Sequence, residues 1–151
     1  MQPTPKGWPR ISTALFYQDP ARAIDWLCRA FGFEVRMKVE GDGGAILHSE
    51  LTFGDGLIMG GGGVSERQPD RAFGASPRAL GGANTQHLCV YVDDVEAHHA
   101  RAVAAGAKIT RPLSVSDYGE DYWADRNYMA DDLEGHSWFF TQRLRDPPAG
   151  K

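Results

Sequence analysis

A pattern of strand, capped helix and strand occurs twice in this chain, about 75 residues apart, and this internal repeat limits the fold more than any other feature. In the second copy, Gln86 to Thr110, the residues His87, Cys89 and Tyr91 alternate with Leu88, Val90 and Val92, the period of a strand. Asp93 and Asp94 offer an N-cap, a helical stripe runs through Val95, His99, Ala102 and Val103, and Gly106 ends it before Ala107 to Ile109 opens a further strand. In the first copy Ser12 to Tyr17 reads as the strand, Asp19 as the cap and Pro20 as the first helical residue. Ile24, Leu27, Cys28 and Phe31 keep helical spacing until Gly32, and Phe33 to Glu40 alternates Val35, Met37 and Val39 with charged residues. Setting Ser12 against His87 brings Asp19 onto Asp94, with a slip of one residue where Gly32 meets Gly106.

Each copy continues with two more strands. Gly41 to Gly44 turns the chain, Ala45 to Phe53 is a strand, Gly54-Asp55-Gly56 is a hairpin turn, and Leu57 to Gly60 closes a βαβββ unit. Alternation places His48 and Glu50 on one face with Ile46 and Thr52, and sends Leu47, Leu51 and Phe53 to the other, toward the helix. The second copy continues with Lys108 to Val115, a loop at Ser116 to Asp121, a strand from Tyr122 to Ala130, a turn at 131–135 and a last strand from His136 to Gln142. The expected organisation is a first module over 10–62, a linker loop over 63–83 and a second module over 84–143. The linker is rich in Gly, Ser, Pro and charge, and Phe73 and Leu80 are its candidate anchors. The proline-rich residues 1–9 read as an extended or mobile lead.

Several function classes drop out. The formal net charge of −4 comes without a Lys/Arg run, which argues against nucleic acid. No apolar run is long enough to span a bilayer and the opening MQPTPKGWPR lacks a signal-peptide core, so a cytoplasmic protein without a membrane partner is expected. Cys28 and Cys89 read as small buried apolar residues rather than a disulfide pair. Gly60 to Gly63 has no Lys-Ser/Thr sequel and reads as linker, not phosphate cradle. His98 and His99 point about 100 degrees apart on a helix, so they read as surface and boundary positions.

Two βαβββ modules with the turn Asp132-Leu133-Glu134-Gly135-His136 before the last strand resemble the glyoxalase, bleomycin resistance and dioxygenase superfamily, the vicinal oxygen chelate proteins, over residues 10–143. The GDG hairpin at 54–56 and the stretch YWADRNYMADDLEGHSWFF are similar to its PhnB-like branch. The resemblance implies an α+β fold in which each module curls into half of a cup. Two halves, from one chain or across a homodimer, would enclose a small-molecule site. Metal-using members carry His or Gln early in a module and Glu late. His87 takes the early position of the second module and Ser12, a poor ligand, that of the first. The late position, four residues past the turn glycine, falls on Phe139 and, in the first module, on Gly60 beside Met59. One expected ligand of four is present, so no cofactor is expected and a divalent metal is disfavoured.

His87 and Glu50 are the candidate acid-base groups. Ser12, Phe16, His48, Glu50, His87, Tyr91 and Phe139 are the candidate ligand-binding residues; strand parity adds Ala14, Cys89, Ser137 and Thr141. Arg126 could meet an anion or form a surface ion pair, and the parity of Trp123, Arg126 and Tyr128 stays open. The favoured function is reversible binding of a small, largely apolar or aromatic organic molecule without metal. The alternatives are a divalent-metal lyase, isomerase or dioxygenase-type enzyme with altered ligands, a metal-free acid-base catalyst, and an accessory domain that binds another protein.

Overall fold

The computed structural model describes residues 1–65, 68–72 and 74–149, with 64, 65 and 68–72 described by backbone alone. Residues Met1–Ala83 and Asn84–Lys151 form two compact units. The first contains β1 (Thr13–Phe16), α1 (Pro20–Phe31), β2 (Glu34–Glu40), β3 (Ile46–Phe53) and β4 (Gly56–Gly61), followed by the short strands β5 (Val64–Ser65) and β6 (Gln68–Ala72). The second contains β7 (His87–Tyr91), α2 (Val95–Ala104), β8 (Lys108–Asp117), β9 (Ala124–Asp131) and β10 (Ser137–Arg145). Their sheets have the same connectivity, in spatial order β1-β4-β3-β2 and β7-β10-β9-β8, with the first and last strands of each module parallel and the other pairs antiparallel. The fold is α+β, two βαβββ modules in one chain.

The first helix forms where the sequence places it. The Asp19 side chain accepts the Arg22 amide at 3.0 Å, Pro20 occupies the first position where its missing N–H costs nothing, and Gly32 ends the helix at φ 81°. Ala23, Ile24, Trp26, Leu27, Ala30 and Phe31 are buried, a wide apolar stripe in which side chains the size of Leu27 or Phe31 each contribute about 1.5–3 kcal/mol. The second helix, capped by Asp94, buries only Val95 and Ala102, while Val103 is exposed, contrary to the stripe expected of it.

Polar and aromatic contacts hold α2 instead. His98 Nδ1 lies 2.7 Å from the Tyr128 hydroxyl and its ring 4.3 Å from that of Phe140; His99 stands edge-on to Tyr128. Glu96 pairs with Arg126, and Gln142 Oε1 accepts the Val95 amide at 3.1 Å. Burial of Tyr128 raises its phenol pKa, so it remains a neutral hydroxyl beside His98. The two histidines are therefore packed against the sheet, and Arg126 and Tyr128 face the helix.

The Asp132 turn is a small framework. Asp132 Oδ1 accepts the amides of Glu134 and His136, each at 3.0 Å, and Oδ2 accepts the indole N–H of buried Trp138 at 3.2 Å. One buried carboxylate thus fixes both the turn and the first inward residue of β10.

Other expectations change. The segment after Gly63 is not all loop, since β5 and β6 pair antiparallel; with Gln68, Pro69, Asp70 and Arg71 it has no apolar alternation to announce a strand. Leu80 is 56% exposed and anchors nothing, and Phe73 lies outside the described residues. Leu47 is half-exposed rather than packed under α1, and its side chain covers Gly41. Cys89 is exposed and Cys28 half-buried, and neither forms a disulfide among the described residues. No helix among the described residues is long and apolar enough to cross a membrane.

Candidate functional site

Each sheet has one face under its helix and a far face turned away from it, and strand register fixes which side chains share the far face. In the first unit Ala14 lies opposite Met59, Met59 opposite Glu50 and Glu50 opposite Met37. Alternation adds Ser12, Phe16, His48 and Thr52. In the second unit the equivalent row is Cys89, Phe139, Met129 and Arg111. His87 and Ser137 lie in the next row on one side, and Tyr91, Thr141, Asn127 and Ser114 in the next row on the other.

Both outer strands reach this row through a bulge. Val35 pairs with Leu51 and Met37 with Glu50, leaving Arg36 as an extra residue; Ile109 pairs with Ala130 and Arg111 with Met129, leaving Thr110 extra. The extra residue shifts the alternation by one. Arg111 consequently stands on the far face although Ile109, two residues earlier, is on the helix side.

In the first unit Glu50 is only 4% exposed. His48 Nε2 lies 3.1 Å from its Oε1, and Arg36 Nε lies 3.3 Å from Oε2 as an ion pair whose N–H is not aligned for a hydrogen bond, so Oε2 is buried without one. Arg36 also donates from Nη1 to the Gly7 carbonyl and stacks 5.4 Å from the Trp8 ring. The lead is thereby tied to β2, and Gly7 to Arg10 border a cleft of about 620 Å³ whose other wall includes Arg36, Thr52 and the Gly54–Gly56 turn. Phe16 is covered rather than open: a Cβ placed on Gly74 would lie 2.1 Å from its ring, so the chain after β6 closes over it through a glycine. Ser12 is half-buried just ahead of β1.

In the second unit His87 is exposed, with its ring 6.2 Å from that of Phe139. Tyr91 is half-exposed and its hydroxyl accepts from Arg143 Nη2 at 2.8 Å. Arg143 also donates from Nε to Asp125 at 2.6 Å and from Nη1 to Asp146 at 2.8 Å, and the Asp125 carboxylate raises its already high pKa. Asn127 is fully buried between Arg111, whose Nη2 donates to its Oδ1, and Ser116, whose hydroxyl accepts from its Nδ2 at 3.1 Å. The Arg111 guanidinium sits 5.0 Å from the Phe139 ring centroid. Trp123 lies ahead of β9, with its ring 5.1 Å from Tyr118 and Arg143 5.7 Å from its centroid.

The structure therefore brings His48 together with Glu50, and His87 together with Phe139, each pair within one unit. Sequence reasoning did not single out Arg36, Arg111, Asn127 or Arg143. Register also corrects the late position of the first module: Gly60 lies opposite Leu15 and Ser49 on the helix side, and Met59 is the far-face residue. The early and late positions are thus Ser12 with Met59 and His87 with Phe139. A hydroxyl, a thioether, an imidazole and a phenyl ring do not fit a catalytic divalent cation. Among the described residues no three His, Cys, Asp or Glu side chains converge.

Comparison with known proteins agrees with this architecture. The profile of the Glyoxalase/Bleomycin resistance protein/Dioxygenase superfamily matches residues 11–140. Over 141 residues the chain is 32% identical to the uncharacterized protein Mb0911c of Mycobacterium bovis, covering 91% of this chain and 86% of that one. TioX from Micromonospora sp. ML1 superposes with a TM-score of 0.65 at 34% identity, over 89% of this chain and 95% of TioX. TnmS3 from Streptomyces sp. CB03234, an antibiotic binding protein, superposes with a TM-score of 0.56 at 18% identity, over 87% of this chain and 93% of TnmS3, a likeness of fold alone. With its repeat, sheet order and sequence matched along nearly its whole length, the chain belongs to the glyoxalase/bleomycin resistance protein/dioxygenase superfamily.

Proposed function

We propose that this protein binds a small, largely apolar or aromatic organic molecule on the far face of its second sheet, without a metal ion. The observation that carries the reading is Phe139: a phenyl ring stands where the metal-using pattern needs a carboxylate, and it forms a tilted ring pair with His87. Exposed Tyr91 and half-buried Met129 extend the same surface, a mixture of rings and a thioether suited to planar organic matter. That TnmS3, with the same fold, is an antibiotic binding protein supports the class of activity. Elemental analysis and calorimetric titration with Ni, Co, Zn and Mn come first, and stoichiometric tight metal would overturn the metal-free reading. A thermal-shift screen of aromatic compounds should then give ligands whose stabilisation is lost in Phe139→Ala and weakened in His87→Ala. Ligands indifferent to both substitutions would overturn the site.

A second reading has its own observation. Glu50 is a buried carboxylate with one oxygen lacking a hydrogen bond and an imidazole at the other, an arrangement that suits metal-free proton transfer. It predicts turnover of a carbonyl substrate that Glu50→Gln abolishes while ligand binding persists. The homodimer belongs to the same proposal: β2 is exposed along its whole length, and light scattering on the purified protein measures the mass directly.

A further inference from the structure

Five arginines lie on the two four-stranded sheets, and four of them are matched with carboxylates: Arg36 with Glu50, Arg126 with Glu96, Arg143 with Asp125 and Asp146, and Arg145 with Asp117. Arg111 differs. Among the described residues no carboxylate lies within ion-pair distance of it, and its partners are the neutral amide of Asn127 and the face of Phe139. Its Nε, like that of Arg126, is buried and donates to nothing, but Arg126 has Glu96 to balance its charge and Arg111 has no such partner among the described residues. A buried guanidinium N–H without an acceptor forfeits about 1–3 kcal/mol of solvation, so this cation is under-compensated where it stands. A second orphan shares this face: the Thr141 hydroxyl is buried without a partner, one strand away from Asn127 in the same row.

From this we propose that Arg111 is the anion anchor of the second sheet's far face, and that the ligand class is a planar aromatic carboxylate. The ring would lie on the Phe139 and His87 surface while the carboxylate takes the free edge of the guanidinium. Asn127 holds that guanidinium in place from one side and is itself held by Ser116, so the fork is oriented before any ligand arrives. With a formal net charge of −4 the chain as a whole repels anions, so preference for a carboxylate must come from this local cation. The inference rests on the proposed binding of an organic molecule at Phe139 and adds its charge.

The test is calorimetry with the intact chain and two probes of equal shape, 2-naphthoate and 2-naphthamide. Wild-type protein should bind the carboxylate tighter than the amide by roughly tenfold or more. Arg111→Gln should erase that preference and still bind the amide, Arg111→Lys should keep part of it, and Phe139→Ala should weaken both probes. Thermal melts confirm that each variant is folded. Equal affinity for the two probes, unchanged in Arg111→Gln but lost in Phe139→Ala, would overturn the anion anchor and leave the organic-ligand site standing. A carboxylate preference that survives Arg111→Gln would assign the anchor elsewhere and overturn this inference. Absence of binding by either probe at millimolar concentration would count against both readings.

Discussion

The two far faces are built on one plan and handle charge in opposite ways. In the first unit the row Ala14, Met59, Glu50 and Met37 has a buried carboxylate at its centre, and the bulge residue Arg36 beside it closes the charge within the unit. In the second the row Cys89, Phe139, Met129 and Arg111 has a thioether where Glu50 stands and a cation where Met37 stands, with no carboxylate among the described residues to meet it. The difference teaches that an arginine's presence on such a face says little until its partner is known. Arg36 is spoken for, by Glu50, Gly7 and Trp8 together. Arg111 is positioned but not neutralised.

The sharpest way to break this contrast is at its two centres. Glu50→Ala removes the carboxylate that compensates a partly buried guanidinium and should cost about 3 kcal/mol in denaturant unfolding. Met129→Ala, at the equivalent position, loses only half-buried apolar surface and should cost about 1 kcal/mol. Equal costs would mean that the Arg36–Glu50 pair is energetically idle.

Next come the arginines. Arg36→Met leaves Glu50 buried beside His48 alone and should destabilise by about 2 kcal/mol, whereas Arg111→Met removes an unpaired buried Nε but also the donor to buried Asn127 Oδ1, two effects that offset in part, and should cost about 1 kcal/mol. A large loss in Arg111→Met would show that the residue serves the fold. Gly74→Ala comes third, at about 1–2 kcal/mol, since its methyl group must displace the Phe16 ring. Its counterpart Tyr91 on the second face has no such cover and should tolerate substitution.

The smallest effect belongs to the exposed pair Arg145–Asp117. Hydrogen bonds from Arg145 and from the Gly119 amide lower the Asp117 pKa. A carboxyl group with a lowered folded-state pKa adds stability above its ordinary pKa of 3.8 and loses it as pH falls through the folded value. Asp117→Asn should therefore lower the melting temperature slightly near neutrality, where the contribution is fully present, and flatten its fall with pH in the acid range.

Much of the fold can be read directly from the chain. The caps Asp19 and Asp94, the stops Gly32 and Gly106 and the 135-centred turn each act through local chemistry, and the structure uses them as local chemistry predicts. Far-face membership for His87, Phe139, Tyr91, His48 and Glu50 follows from simple alternation, which holds on β3, β7 and the inward part of β10. It fails on β2 and β8. The extra residues Arg36 and Thr110 break the parity of β2 and β8, so no count along those strands can place Arg111, and the partner of Glu50 comes from a strand whose register is invisible in sequence. The β5–β6 hairpin was equally illegible, because it pairs Val64 and Ser65 with a strand, Gln68 to Ala72, whose sequence has no apolar alternation. The reading of Gly60 as the late position erred by one residue for the same reason as any count across a hairpin: register, not distance from the glycine, decides the face.

The twin bulges have a further consequence, in the history of the chain. An irregularity at the same place in both modules is a mark that a duplication carries forward into its two copies, as it carries the capped helix and the sheet order. The residue just past it points away from the helix and lies outside the apolar packing beneath that helix. Met37 and Arg111 are two settings of that one inherited slot. A gene built this way can change what it captures by a single codon in either half while both cores stay as they were.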